Sequence, residues 1–284
     1  MQGYLETIGV LAVAVLGVMA GKAFGSLRRP YWLLGYFLSM TLIALLVASR
    51  FYYPLNFVPP FSSILSGRAR FITLCIAVTV GVVTPLDRLP HRLEQILVCV
   101  LMGIVVAWFC LMPFLVPALL KDSHQSLKTR MSAAGICFQS TDYTCGPAAA
   151  VTALNTLGIK ADEGQLAILA HSSPMTGTLP ECLADALAKR YADLGLDCTF
   201  RLFDSIDQLT DADVNLVVVK DHFLADHCVA VPRVTSDYVV VGDPVRGKEI
   251  IPREKFADLW RFSGIALKRC FPAQAQQPVP VSGT

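Results

Sequence analysis

The sequence has little charge, and the shortage is concentrated in its first half. Charged residues make up 16% of the 284 residues and hydrophobic residues 54%, against roughly 25% charged in soluble domains. Residues 1–120 contain eight Lys/Arg and three Asp/Glu, whereas residues 121–284 contain sixteen and nineteen. This composition excludes a disordered chain and argues against an ordinary soluble enzyme. It predicts an apolar domain joined to a globular domain that is long enough to bury its own core.

The sequence also lacks the motifs of several function classes. A net charge of +2 gives no basic excess for nucleic acid. The Gly-Lys pairs Gly21-Lys22 and Gly247-Lys248 lack the rest of a phosphate-binding loop. There is no C-x-x-C or H-x-x-x-H spacing for zinc, and the nine cysteines show no paired spacing. We therefore expect no nucleic acid, nucleotide, metal or other cofactor.

Four apolar stretches account for most of the first half, at residues 3–24, 30–49, 71–86 and 95–120. A bilayer-spanning helix needs about 20 apolar residues, so the third stretch is marginal and the others are long enough. The core of a large soluble protein is a weaker interpretation, because the stretches have no polar face. A signal peptide at the first stretch would need a basic n-region, which is missing. Residues 1–120 are therefore predicted to be an all-α transmembrane domain of about four helices.

The orientation in the membrane is nearly balanced by charge. Five Lys/Arg lie in the loops on one side of the predicted spans and six on the other. The first span has no Lys or Arg before it and three after it, which favours both termini outside the cytoplasm. The cysteines, without a disulfide pattern, favour the opposite side. We expect a multi-pass protein of a bacterial cytoplasmic membrane, with its globular domain extracytoplasmic.

The remaining segments divide the second half. Residues 51–70 are predicted to be an interfacial loop, residues 121–134 a polar connector, residues 135–271 the globular domain and residues 272–284 a mobile Pro/Gln/Ser/Gly tail.

Cys145 is the candidate nucleophile. Pro147 suits a first helical turn and Gly158 a helix end, which places Cys145 at a helix N-terminus. The positive end of the helix dipole there favours a thiolate, the reactive form of cysteine. Gln139, six residues upstream, can donate to a developing oxyanion beside the Cys145 backbone N–H.

A base is predicted on a β-hairpin. The runs 226–232 and 238–244 are rich in β-forming residues and flank a short polar segment. If the turn centres near Thr235, Asp243 lies opposite His227 and can orient its imidazole. His222 is a rival base, but no comparable carboxylate faces it. His171 is expected to be solvated, and Asp142 and Asp226 to cap or solvate turns.

In order, these residues resemble the bacteriocin-processing, or double-glycine, cysteine peptidase family, which has a papain-like fold. The resemblance rests on Gln139, Thr144–Ala148, Thr176–Thr178, His227–Val231, Asp243-Pro244, Gly247, Phe256, Trp260 and Gly264. It implies that Cys145, His227 and Asp243 form a catalytic triad, that Gln139 completes the oxyanion hole, and that no metal is used. The chain departs from the family in two ways. Thr144 stands where many members have an acidic residue, and the exporter fused to the best-known members is missing.

The sequence thus predicts an α+β papain-like cysteine peptidase domain after the transmembrane domain. Its partners would be the lipid bilayer and a peptide or protein substrate that is membrane-associated or exported. The cut would follow small residues such as Gly-Gly. Two alternatives stay open at this point: a catalytically silent, membrane-tethered peptide-binding or regulatory module, and a thiol acyltransferase that uses the same triad.

Overall fold

The computed structural model describes residues 2–221 and 226–270. The helices of the first half are α1 (Gln2–Gly25), α2 (Leu33–Phe51), α3 (Phe61–Leu65), α4 (Ala69–Val83), α5 (Arg92–Val105), α6 (Met112–Leu119) and α7 (Lys121–Gln125). A π-helical segment, Val106–Leu111, joins α5 to α6, so that the helical stretch runs over 28 residues from Arg92 to Leu119.

Four of these helical stretches are long and apolar enough to cross a membrane, at Gly3–Gly25, Leu33–Phe51, Ala69–Arg88 and Arg92–Leu119. They coincide with the four apolar stretches of the sequence. The third is longer than its uncharged run, because a 3₁₀ turn at Leu86–Arg88 continues α4 after Pro85. The predicted all-α region of four apolar helices is therefore confirmed.

The helix α4 is the centre of this region, and small residues bring its neighbours close. It packs against both α1 and α2. A Cβ on Gly17 would lie 2.0 Å from Thr79 Oγ1, and a Cβ on Gly21 would lie 2.8 Å from Val83 Cβ. The two glycines thus let α1 approach α4 more closely than any larger side chain would allow.

The predicted loop and connector both contain regular structure. Residues 51–70 hold a 3₁₀ turn at Tyr53–Asn56 as well as α3. The connector begins with α7, and Arg130–Met131 (β1) then pairs with Cys137–Phe138 (β2). The sequence pattern missed these elements because each is only two to five residues long.

The second half is an α+β domain built on one six-stranded antiparallel sheet. Its helices are α8 (Cys145–Thr156), α9 (Glu163–Leu169), α10 (Pro180–Tyr191) and α11 (Arg253–Leu259). Its strands are β3 (Leu196–Leu202), β4 (Val214–Lys220), β5 (Asp226–Val234), β6 (Tyr238–Asp243), β7 (Gly247–Pro252) and β8 (Trp260–Arg269), in the order β3-β8-β4-β5-β6-β7.

Two hydrophobic cores lie in this domain. One packs α8, α9 and α10 against the sheet, with Ala148, Ala149, Ala150 and Ala153 of α8 fully buried. Such small residues allow the helix to lie directly on β4 and β5. The other core contains Phe203, Phe256 and Trp260. The sheet and its helices confirm the predicted fold class.

The β5–β6 hairpin forms as predicted, but its register differs from the prediction. The turn lies between Thr235 and Tyr238, and a bulge separates the pair Arg233–Val240 from the pair Ala230–Gly242. Continuing this pairing by one residue places Asp243 opposite Val229 rather than His227. Residues 227 and 229 point to the same face of the strand, so His227 and Asp243 remain diagonal neighbours.

Candidate active site

The nucleophile helix begins where the sequence predicts. Cys145 is the first residue of α8 and is half-buried, while Thr144 before it is fully buried. Gly146 is required by close packing, because a Cβ there would lie 2.9 Å from Thr178 Cβ. Thr178 also donates a hydrogen bond to the carbonyl of Tyr143 at 3.2 Å. The turn around Thr178 thus fixes the chain on both sides of Cys145.

His227 lies between a thiol and a carboxylate. Its Nε2 is 3.0 Å from Asp243 Oδ1, and its imidazole also interacts with the side chain of Cys145. Because Nε2 faces the carboxylate, Nδ1 is the nitrogen left for the thiol. Burial lowers the pKa of His227, but the interactions with Asp243 and Cys145 outweigh it and raise the pKa to about 10. The geometry therefore favours a protonated imidazole at neutral pH.

A tight turn organises the carboxylate of Asp243. Its Oδ1 accepts the backbone N–H groups of Val245 at 2.7 Å and Arg246 at 3.2 Å, in addition to His227. Burial raises the pKa of Asp243. The hydrogen bonds lower it by a larger amount, so the net pKa lies below its usual value. The side chain is only 6% exposed and stays ionised where it can orient the imidazole.

Gln139 is held by its backbone and leaves its side-chain end free. Its N–H donates to the carbonyl of Pro244 at 3.0 Å, and its own carbonyl accepts from Arg130 Nη2 at 2.9 Å. Its side-chain oxygen is buried without a hydrogen-bond partner among the described residues. Pro244 follows Asp243 directly, so the hydrogen bond from Gln139 joins the segment after β2 to the turn that holds the carboxylate.

Sequence reasoning missed Glu163. Its side chain is fully buried and accepts two hydrogen bonds from Ser140, one from the backbone N–H and one from the hydroxyl, both at 2.7 Å. A buried carboxylate needs such donors to offset its lost hydration. In the sequence, Asp162-Glu163 resembles an ordinary acidic helix start, and no local signal marks its burial. Glu163 anchors the residue that follows Gln139.

The rival residues have other surroundings. His222 lies outside the described residues. His171 is partly buried rather than solvated, and burial, helped by the charge of Arg68, lowers its pKa. Asp226 neither caps nor solvates a turn, which corrects the sequence interpretation, because it forms ion pairs with Arg50 and Arg261. Asp142 is exposed, as expected for a turn residue.

Cys228 packs against the core that contains α8, and all nine cysteines are free thiols. In the part of the chain that the structure describes, no group of three His, Cys, Asp or Glu side chains is placed to hold a metal ion.

A cavity of about 570 Å³ flanks the loop that leads to the nucleophile. It is lined by Ser140, Thr141, Asp142, Tyr143 and Pro174. A larger cavity, of about 860 Å³, lies between the two halves of the molecule and contains no member of the His227 site. Of these two cavities, the smaller one borders the loop before Cys145.

The comparison with known protein families decides the assignment of this domain. Residues 134–269 match the model of the Peptidase C39 family. These residues form a Peptidase C39 domain. Membership of this family indicates a cysteine peptidase, and it confirms the resemblance seen in the sequence. The match covers the whole six-stranded sheet and the three helices α8, α9 and α10 that pack on it.

Individual relatives align with the same half of the chain. An uncharacterized protein of Methanothermobacter thermautotrophicus is 26% identical over 134 residues, which are 47% of this chain and 88% of the relative. The peptidase domain of Streptococcus ComA, a bifunctional ABC transporter of a quorum-sensing pathway, is 21% identical with a TM-score of 0.41, covering 47% of this chain and 96% of that chain. A double-glycine-motif protease from an AMS/PCAT transporter, solved with a leader peptide, is 19% identical with a TM-score of 0.41, covering 50% and 93%.

Proposed function

We propose that this chain is a membrane-anchored cysteine peptidase with Cys145 as nucleophile, His227 as proton carrier and Asp243 as the carboxylate that orients His227. One observation carries the proposal. The imidazole of His227 is hydrogen-bonded to Asp243 at 3.0 Å and interacts with Cys145, which begins a helix. A nucleophile beside a base that a third group orients is the arrangement that activates a thiol.

In the proposed acylation, the proton of Cys145 already resides on His227, as the raised pKa of the imidazole favours, and the thiolate attacks the carbonyl carbon of the substrate. The new S–C bond pushes the carbonyl electrons onto oxygen. As the tetrahedral intermediate collapses, the C–N bond breaks and the leaving amine takes the proton from His227. Asp243 accepts a hydrogen bond from the imidazole both before and after this proton is transferred.

Gln139 is proposed to stabilise the oxyanion together with the backbone N–H of Cys145. Its buried and unpartnered side-chain end supports this role, since the amide group can turn to present its N–H. Water then attacks the thioester with His227 as base, which releases the acid and regenerates the thiol. These steps use no metal and no cofactor.

Peptide hydrolysis by full-length protein in detergent tests the proposal. We expect Cys145→Ala to abolish turnover and covalent labelling by a thiol-directed peptide probe. Cys270→Ala is the matched control, because Cys270 is exposed and lies outside the site. Full turnover in Cys145→Ala would refute the mechanism. Labelling of Cys145 together with peptide transfer to an added amine, but without hydrolysis, would identify an acyltransferase instead.

The substrate is proposed to carry small residues, Gly or Ala, before the cut. A narrow cleft excludes large side chains by steric clash, and the double-glycine family supports this preference. Peptides that are identical except for Gly-Gly or Leu-Leu before the cut should differ in kcat/KM in favour of Gly-Gly. Equal cleavage would refute the preference and leave the Cys145 mechanism intact.

The four long apolar helices support a bilayer anchor, with the peptidase domain outside the cytoplasm as the charges around the first helix suggest. Cys270 is an exposed reporter at the end of β8. A membrane-impermeant maleimide added to intact cells should label Cys270 in the wild type and leave Cys270→Ala unlabelled at that position. Labelling of Cys270 only after lysis would reverse the orientation.

A further inference from the structure

A side-chain clamp holds the start of the strand that carries His227. Asp226 is the first residue of β5. Arg50 Nη1 lies 2.6 Å from Asp226 Oδ2, and Arg261 Nη2 lies 3.0 Å from Asp226 Oδ1. Arg50 is at the end of the apolar helix α2, and Arg261 is at the start of β8. One carboxylate therefore joins the membrane region, the sheet and the strand of the proposed base.

Backbone pairing at this end of β5 is one-sided in the described residues. Asp226 and His227 pair with Lys220 and Val219 of β4. On the other edge, the pairing of β5 with β6 begins only at Ala230. The ion pairs on Asp226 thus restrain the start of β5 on the side where backbone hydrogen bonds to β6 are missing. Successive side chains point to opposite faces of a strand, so Asp226 acts on His227 through the backbone.

Arg50 is itself held in place against the peptidase domain. The ring of Phe57 lies 4.9 Å from that of Phe200, and Arg70 Nη2 lies 3.2 Å from Glu181 Oε1. The clamp is only partly buried, since the Asp226 side chain is 20% exposed and that of Arg50 is 35% exposed. Partly buried pairs are screened less by salt than fully exposed pairs.

We infer that Arg50 is a positioning residue of the active site: through Asp226 it sets the place of His227, so that the membrane region completes the peptidase in addition to anchoring it. The inference rests on the proposed role of His227. Displacement of a catalytic group by about 1 Å is enough to cost roughly 10²-fold in rate. No contact of Arg50 with the substrate is required.

The test uses the full-length protein in lipid vesicles. Arg50→Ala is compared with Arg70→Ala, which removes another ion pair between the two halves but none on Asp226. We expect Arg50→Ala to lower kcat roughly 10- to 100-fold with little change in KM, and Arg70→Ala to change neither. Arg50→Lys should restore part of the loss. The rate of iodoacetamide alkylation at Cys145, followed across pH by mass spectrometry of its peptide, should change in Arg50→Ala only.

A second variant, Asp226→Asn, keeps the size of the side chain and removes its charge, and it should reproduce the effects of Arg50→Ala. Wild-type kcat and a wild-type alkylation profile in both Arg50→Ala and Asp226→Asn would overturn the inference. Equal losses in Arg50→Ala and Arg70→Ala would overturn it as well, because they would reflect general docking. If the wild type hydrolyses no peptide but the alkylation profile still changes in Arg50→Ala alone, the positioning role stands and the proposed function fails.

Discussion

At the scale of single residues, two neighbouring side chains act on the pKa of His227 in the same direction. Burial works against the protonated ring, but Asp243 and Cys145 together raise its pKa to about 10. A peptidase needs this imidazolium as the acid that protonates the leaving amine. The activity is therefore expected to persist through neutral pH and to fall as the ring loses its proton near pH 10.

Asp243→Asn should move that alkaline limb to lower pH. Loss of the carboxylate removes a cause of the raised pKa of His227 and also the group that fixes its orientation. We expect kcat/KM to fall about 10²- to 10⁴-fold, as when other triads lose their carboxylate. A pH–rate profile measures the limb, and Asp142→Asn, an exposed acid in the loop before Cys145, is the control. A limb that stays at the wild-type pH would contradict the assignment.

Glu163→Gln should impair catalysis although residue 163 contacts Ser140 and not the substrate. The glutamine keeps one acceptor oxygen but turns an NH₂ towards one of the two Ser140 donors, which loosens the segment after Gln139. We expect kcat to drop roughly 10-fold, less than the 10²–10³ of a fully removed oxyanion donor, while KM is unchanged. Steady-state kinetics separates the two constants.

Asp162→Asn is the matched control for Glu163→Gln, because Asp162 caps the same helix from an exposed position. An equal loss of kcat in the two variants would show that the helix start as a whole is responsible, and that Glu163 has no special role.

At the scale of elements, the decisive contact is that between the start of α8 and the turn around Thr178. Gly146→Ala places a methyl group 2.9 Å from Thr178 Cβ. We expect a loss of about 1–3 kcal/mol in stability, typical of an overpacked core, and a larger loss of turnover, because Cys145 moves with the helix start. Thermal unfolding and peptide hydrolysis measure the two effects.

Gly103→Ala is the control for this substitution, because a Cβ at Gly103 meets no atom within 4 Å. It should leave both stability and turnover near the wild-type values. If Gly146→Ala behaves like Gly103→Ala, the close contact with Thr178 does not position the nucleophile.

The elements also show where sequence patterns are informative. The start of α8 was predictable because Pro147 and Gly158 act locally, and the hairpin because two β-rich runs flank a short polar segment. The register of the hairpin was not predictable. The bulge between Ala230 and Arg233 shifts the pairing, and the hydrophobic pattern does not reveal it. His227 and Asp243 still meet because a two-residue shift preserves the face.

At the scale of the whole molecule, the roles of Asp226 and Glu163 depend on partners far away in the chain. Arg50 is 176 residues from Asp226, and Ser140 is 23 residues from Glu163. The local sequence around each acid is that of a turn or a helix start. Each acid meets its distant partner only in the folded chain, so a single sequence does not reveal the roles of Asp226 and Glu163.

The stability of the folded protein should depend on pH through His227. Its folded pKa of about 10 lies above the ordinary 6.5, so its protonation stabilises the folded state. This contribution is complete below about pH 6.5 and is lost as the pH rises through about 10. The difference in melting temperature between the wild type and His227→Gln should therefore shrink from pH 6 to pH 10.5.

The same scan in Asp243→Asn is informative at low pH. The folded pKa of Asp243 lies below its ordinary 3.8, so its contribution to stability is present above that value and is lost as the pH falls through the lowered pKa.

For His227, a difference in melting temperature between the wild type and His227→Gln that stays constant from pH 6 to pH 10.5 would contradict the raised pKa.

The contacts at Phe57 and Arg70 hold the proposed peptidase domain against the apolar helices. In a reaction between two partners held at one bilayer, encounter depends on an effective concentration set by the tethers. For the proposed membrane-associated substrate, the flexible tether is then the substrate's own segment, and each extended residue of it reaches at most about 3.3–3.6 Å. The length of the substrate segment between the membrane and the scissile bond would then determine the rate of cleavage. Below a threshold length cleavage stops, and beyond the matching length it declines with roughly the −3/2 power of length.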